Sequence, residues 1–254
     1  MAALDAVLRE GLLVDRAWLQ DHGFDRPAVD YYLRSGKLEA VARGVYRKPG
    51  PALKWQNVVY SLSELGYRLH VGHLTALAFY GFSHYLELGG KGEVCLYSDK
   101  SLPGWINDVQ GMSRLIALNR SPFTDFELGI EDVPFGTWDW PVRYASPERA
   151  FLELTSTASS AEEIGRARLM MEGAASLKPG LLQSLLEECR QVKAKRLFLW
   201  AAREQGHSWY RHIDQAKIDL GSGKRQIVKG GVLDDEFLIT VPRKQDDGQA
   251  EPVF

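Results

Sequence analysis

The twelve residues from Asp25 to Gly36 (Asp-Arg-Pro-Ala-Val-Asp-Tyr-Tyr-Leu-Arg-Ser-Gly) constrain the fold more than any other stretch of the chain. Asp25 is placed to cap a helix, and Pro27 falls in the first turn, where its missing N–H costs nothing. The helix is expected to run to Ser35, with Gly36 supplying the left-handed stop. At roughly 100° per residue, Ala28, Val29, Tyr32 and Leu33 fall on one side. Arg26, Asp30, Arg34 and Lys37 form a stripe on the other, with Tyr31 on its border. So short a helix is not stable alone, so its apolar side must dock on elements close by.

The flanking sequence provides those elements. Ala2 to Glu10 carries Leu4, Val7 and Leu8 at helical spacing and stops at Gly11. Asp15 caps a second short helix that holds Trp18 and Leu19 and ends near Gly23. Beyond Gly36, Leu38 to Val41 and Val45 to Arg47 are β-prone and joined across Ala42-Arg43-Gly44, a hairpin. Three short helices and a two-stranded hairpin are the plan of a winged helix-turn-helix. One face of the third helix is held by the scaffold while the other enters the major groove. Arg34 is then the first candidate to read a base edge, because a guanidinium bonds guanine bidentately. Arg26, Lys37 and Tyr31 complete the set on the helix, Tyr31 reading equally as a partly buried scaffold residue, and Arg43, Arg47 and Lys48 on the hairpin are suited to phosphate or minor-groove contact. Against this stands a plainer reading, in which Arg26, Asp30 and Arg34 are a solvated i, i+4 ion-pair ladder. The second group of cations on the hairpin favours DNA.

Charge is segregated along the 254 residues. The net charge is −2, yet Arg26 to Lys48 holds six basic residues against two acidic ones, and Arg190 to Arg225 holds nine against three. A polyanion responds to such local patches rather than to the mean. An apolar content of 45% excludes a wholly disordered chain, and two cysteines exclude a disulfide framework. The start lacks the basic and apolar regions of a signal peptide, and Leu69 to Phe82 is too short, with two histidines, to span a membrane. A cytoplasmic location is expected.

Pro49-Gly50-Pro51 is the best boundary, dividing a DNA-binding domain over 1–50 from a second domain over 55–241 and a flexible tail over 242–254. Helices are expected from Gln56 to Gly66 and Gly72 to Tyr80. Strands are expected at Glu93–Tyr97, Ser113–Leu118, Phe126–Ile130 and Val142–Tyr144. Leu102 to Trp105 reads as a turn. Ser146-Pro147-Glu148-Arg149 starts the first of two or three helices reaching Gln205, with Leu182, Leu185, Leu186, Cys189 and Val192 on one face. Further strands are expected at Lys217–Leu220, Arg225–Val228 and Phe237–Val241, with turns at Gly221-Ser222-Gly223 and Gly230-Gly231.

Several of these segments support a resemblance. Leu13-Val14-Asp15, Tyr32 to Leu38 and Ala42-Arg43-Gly44-Val45-Tyr46 resemble the winged-helix start of the AbiEi family of antitoxins. Ala145 to Ala150, Lys195-Arg196-Leu197-Phe198-Leu199, Ile218 to Arg225, Gly230-Gly231 and Ile239 to Pro242 resemble that family's C-terminal antitoxin domain. The likeness implies an α+β chain: an N-terminal winged helix-turn-helix followed by a larger mixed α/β antitoxin domain. It further implies a transcriptional repressor of its own operon that counters a cognate nucleotidyltransferase toxin of a type IV toxin–antitoxin system, without requiring a stable complex. Its partners would be double-stranded operator DNA and, functionally, that toxin. Homodimerisation or cooperative occupancy of half-sites would supply specificity. No cofactor, metal or membrane is called for.

Other motifs point less far. Gly221-Ser222-Gly223-Lys224-Arg225 departs from a phosphate loop, with Ile218 in place of the first glycine and Arg225 in place of the hydroxyl residue. Lys224 and Arg225 are expected to join Lys193, Lys195, Arg196, Arg203 and Arg211 in a second basic surface. His70, His73 and His84 cluster in sequence, as do His207 and His212, without a metal-binding pattern. Cys95 and Cys189 read as core residues. Two rival functions remain: a winged helix delivering a nuclease-like domain built on Glu93, Asp99 and Lys100, or a protein-interaction module whose basic patches meet an acidic partner.

Overall fold

A computed structural model describes residues 4–82, 92–109, 113–118 and 120–243. Packing divides the chain into two units. The first comprises residues 1–80, 87–121 and 129–146, and the second residues 81–86, 122–128 and 147–254.

The first unit begins with α1 (Leu4–Val7), β1 (Val14–Asp15), α2 (Arg16–Asp21), α3 (Arg26–Arg34), β2 (Glu39–Ala42) and β3 (Val45–Arg47). The expected caps are in place: the Asp15 carboxylate accepts from Trp18 N at 2.8 Å and that of Asp25 from Ala28 N at 3.0 Å. Each such cap is worth about 1 kcal/mol. Gly36 stops α3 with φ +70°, and Gly44 turns the β2–β3 hairpin with φ +76°. β1, a strand too short to register in the sequence, pairs antiparallel with β3 and gives the sheet order β1-β3-β2. Helices and strands in this order make a winged helix-turn-helix.

The first unit does not end at Pro49-Gly50-Pro51. α4 (Trp55–Glu64), β4 (Leu69–Val71), α5 (His73–Phe79), β5 (Glu93–Ser98), β6 (Arg114–Leu118), β7 (Ile130–Phe135) and β8 (Trp140–Ala145) follow. Their five strands form a mixed sheet ordered β6-β5-β4-β8-β7, with α4 and α5 packed on its central strands. Trp140 of β8 is buried among Leu4, Leu8, Leu12, Val14, Leu19, Phe24, Val29, Leu38 and Tyr46, and stacks on Tyr60 of α4 at 4.7 Å. Leu13 N also donates to the buried Ser61 hydroxyl at 2.8 Å. The small domain thus borrows part of its core from the sheet, and packing runs on through the proline-rich segment. The expected strand over Phe126–Ile130 begins instead at Ile130. The Asp125 carboxylate accepts from Glu127 N and Leu128 N, and Gly129 has φ +72°, which together make a turn. The expected turn at Leu102–Trp105 leads into a 3-10 turn over Gly104–Asn107.

In the second unit four helices replace the two or three expected: α6 (Pro147–Thr157), α7 (Ala161–Glu172), α8 (Pro179–Glu188) and α9 (Val192–Gln205). Leu182, Leu185, Leu186 and Cys189 are buried together, while Val192 already belongs to α9. Ser160 and Glu163 form a capping box at α7. α6 and α9 pack on each other and are buried along most of their length. After α9 come 3-10 turns over Ser208–His212 and Gln215–Lys217, and a hairpin of β9 (Val232–Asp234) and β10 (Ile239–Val241). The strands expected at Lys217–Leu220 and Arg225–Val228 are absent. Arg225 makes a single parallel bridge to Ile239, donating to the Leu238 carbonyl and accepting from Thr240 N. Side chains serve the backbone on either side, the Thr240 hydroxyl accepting from Ile227 N and Val228 N and Arg196 taking carbonyls of the 220–223 loop. The tail from residue 244 lies outside the described residues.

No described helix is long and apolar enough to cross a membrane.

Candidate nucleic-acid interface

The division of α3 follows its angular pattern. Val29 is buried, while Ala28, Tyr32 and Leu33 are turned partly inward against the module core. Tyr32 meets the Phe24 ring edge-on at 5.9 Å. Arg26, Pro27, Asp30, Tyr31 and Arg34 are exposed, and so are Lys37 and the wing-tip Arg43. Tyr31 is 57% exposed, which puts it on the open face rather than in the scaffold.

No ion-pair ladder runs along this face: Arg26, Arg34, Lys37 and Arg43 form no ion pair among the described residues. Arg34 Nε donates to the Asp30 carbonyl at 3.2 Å, which points the guanidinium back along the helix and leaves both terminal nitrogens free. An open, singly held guanidinium on a fixed helix is the geometry that bidentate recognition requires. The open face also loses little side-chain ordering to intramolecular contacts, so its cations remain available to a polyanion.

Arg47 and Lys48 differ. Arg47 lies opposite Glu39 in the hairpin register, pairs with it, and donates to the Pro51 carbonyl at 2.8 Å. Lys48 pairs with Asp5 at 2.7 Å. That contact, first through its hydrogen bond and then through charge, holds the Asp5 carboxyl below the usual range. Both cations therefore anchor the wing to its surroundings. Counting back from the two-residue turn alone would set Glu39 opposite Lys48; a bulge between Ala40 and Ala42 shifts the register by one and brings it opposite Arg47. Arg16, which no sequence pattern singles out, donates to the Tyr46 hydroxyl at 3.2 Å.

The second basic surface does not form as expected. Lys195 and Arg196 are each only 2% exposed. Arg196 donates to the carbonyls of Leu220 (2.7 Å), Gly221 (3.1 Å), Gly223 (2.7 Å) and Leu238 (3.4 Å). Burial pushes its pKa down, and the charge of Arg225 adds to this. The Gly221–Gly223 loop thus directs carbonyls inward at a cation, the reverse polarity of a phosphate loop, whose N–H groups face an anion. Arg203 pairs with Asp234 and Glu236. The half-buried Lys193 donates to the Ala158 carbonyl at 2.9 Å. Arg211, Lys224 and Arg225 are the members of the set that stay exposed. The physical cause is that α9 is buried along most of its length, so Lys193, Arg196 and Arg203 turn to carbonyls and carboxylates of their own unit.

The residues of the nuclease-like alternative are dispersed. Glu93 opens β5 and pairs with Arg114 at 3.5 Å. Asp99 follows the other end of that six-residue strand and accepts from Arg68 N, while Lys100 lies over the Tyr67 ring at 4.2 Å. His70 is buried and stacked on Tyr97, and His207 hydrogen-bonds the Met171 carbonyl at 2.7 Å. His84 lies outside the described residues. Cys189 is buried, Cys95 half-buried in β5.

Two family models match the chain in tandem. Residues 1–88 match one described as the N-terminal domain of the transcriptional regulator AbiEi antitoxin, and residues 91–242 match one described as the transcriptional regulator AbiEi antitoxin of a type IV toxin–antitoxin system. Among solved structures, the crystal structure of RV2827C protein from Mycobacterium tuberculosis superposes with a TM-score of 0.55 at 12% identity. The match covers 91% of this chain and 86% of that one, a likeness of fold. No curated protein matches the chain.

Proposed function

Because the chain belongs to the AbiEi family of antitoxins and transcriptional regulators of type IV toxin–antitoxin systems, we propose that it represses its own operon by binding the operator and counters a nucleotidyltransferase toxin. The action is binding rather than chemistry, and it takes place in the cytoplasm. The observation that carries the DNA half is the open cationic face of α3 beside a wing tip that carries Arg43. Arg34 reads a base edge, Arg26, Tyr31 and Lys37 line the groove, and Arg43 contacts the backbone. Arg47 and Lys48 support the wing. Winged-helix modules gain specificity by pairing half-sites, so the protein binds as a dimer or cooperatively.

The family description supports the antitoxin half. The second unit, with its buried helices and internally neutralised cations, is suited to a stable scaffold for that task. A gel-shift titration against the chain's own upstream region, run from low to moderate salt, tests the repressor reading. Four open cations predict a log affinity that falls with log salt at a slope of roughly −3 to −4 per module. Equal affinity for upstream and shuffled duplex overturns it. Co-expression with a nucleotidyltransferase toxin encoded beside this chain's gene tests the antitoxin reading: growth arrest unrelieved by this protein overturns that half alone.

A further inference from the structure

One residue on the DNA-facing side of α3 has the wrong charge for a polyanion. Asp30 stands one turn from Arg26 and one turn from Arg34 and is exposed. Its carboxylate has no hydrogen-bond or ion-pair partner among the described residues, although its charge is felt by Arg16 on α2. The helix is capped by Asp25, so Asp30 has no capping duty either. A carboxylate in the middle of a face that approaches phosphates weakens sequence-independent binding, because it repels the backbone that the neighbouring cations attract.

The major groove offers such a carboxylate two amino donors, cytosine N4 and adenine N6; at adenine the neighbouring N7 acceptor opposes the carboxylate's charge, so cytosine N4 is the better partner. Thymine O4 and the guanine O6 and N7 atoms are acceptors and would be set against it. The adjacent Arg34, tethered through Nε to the carbonyl of this same residue, keeps two terminal donors for guanine. Resting on the DNA-binding reading above, we propose that Asp30 is a specificity residue. It accepts a hydrogen bond from a cytosine N4 in the operator half-site, beside the base pair read by Arg34, and it lowers affinity for other DNA.

The test uses the full chain with single-base-pair variants of its upstream duplex, comparing wild type, Asp30→Ala and Asp30→Asn. The expected Asp30→Ala result is an unchanged melting temperature, severalfold tighter binding to shuffled duplex at low salt, and loss of about tenfold discrimination at one C·G pair only. Asp30→Asn, which can donate as well as accept, should shift that position toward adenine. A wild-type protein that binds specifically, with every base preference retained by Asp30→Ala, overturns the inference and leaves the DNA-binding reading intact. A lower melting temperature with uniformly weaker binding assigns Asp30 a structural role and also overturns it. A wild type without any preference for the upstream duplex overturns both.

Discussion

The third helix and α9 are alike in sequence and opposite in deployment. Each carries apolar residues interleaved with basic ones, and each lies in a segment of positive net charge. On α3 the cations face outward without carboxylate partners. On α9 they are folded into the unit, where Arg196 gathers loop carbonyls and Arg203 binds the Asp234 and Glu236 carboxylates. A count of charge along the chain therefore does not measure the charge that a ligand meets. What separates the cases is the width of the apolar face. α3 leaves a whole side polar, whereas α9 carries six consecutive apolar residues from Leu197 to Ala202 and is enclosed on every side.

The contrast breaks most visibly at Arg196. Replacing it with Ala takes the donor from the carbonyls of Leu220, Gly221 and Gly223, while that of Leu238 keeps Arg225 N. Losing one partner of such a buried polar network costs about 3–5 kcal/mol. The melting temperature should fall by about 10 °C, and the fall should be the same at low and high salt. Operator affinity of the molecules that remain folded should not change. A salt-sensitive loss of DNA binding without loss of stability would return Arg196 to the surface and merge the two helices into one class. The fully buried Arg149 is a second case. It pairs with Glu153 at 3.0 Å and donates to the Leu128 carbonyl at 2.6 Å, and Arg149→Met should destabilise to a similar extent.

How far the sequence disclosed this difference varies by element. The caps at Asp15 and Asp25, the stop at Gly36 and the turn at Gly44 are local chemistry, so α2, α3 and the hairpin were readable where they stand. Trp140 was not, because a side chain about a hundred residues downstream completes the module core, and no local pattern reports such a contact. Nor were the backbone bonds of residues 220–228, where a threonine hydroxyl and a guanidinium stand on either side of a single bridge at Arg225 in place of a full strand ladder. The apolar run of α9 did carry the signal that its cations are enclosed. In the segments that resemble the antitoxin family, Arg149 and Arg196 are buried on partners within their own unit.

On the open side of the comparison the effects are smaller and of the opposite kind. Arg34→Ala should cost about 1–3 kcal/mol of operator affinity, concentrated at one base pair, with the melting temperature nearly unchanged. Arg43→Ala should weaken upstream and shuffled duplex equally and reduce the salt slope by about one. Gel-shift titrations at three salt concentrations separate the two. If Arg43→Ala altered base preference instead, the wing would be a reader in the minor groove and not a backbone clamp.

The smallest effect is expected at Lys48, a wing cation that behaves like those of α9. Its charge is committed to Asp5, so Lys48→Met should change operator affinity by no more than about twofold, well short of Arg43→Ala. Its signature lies in pH. The folded-state pKa of Asp5 is depressed, so the stability it contributes is fully present above the ordinary carboxyl value of about 3.9 and is lost as pH falls through the lower folded value. Melting curves from neutral pH down through that window should therefore be steeper for wild type than for Lys48→Met. Asp5→Asn should match the variant. Identical acid profiles for all three would free Lys48 from Asp5 and place it with the open cations of α3.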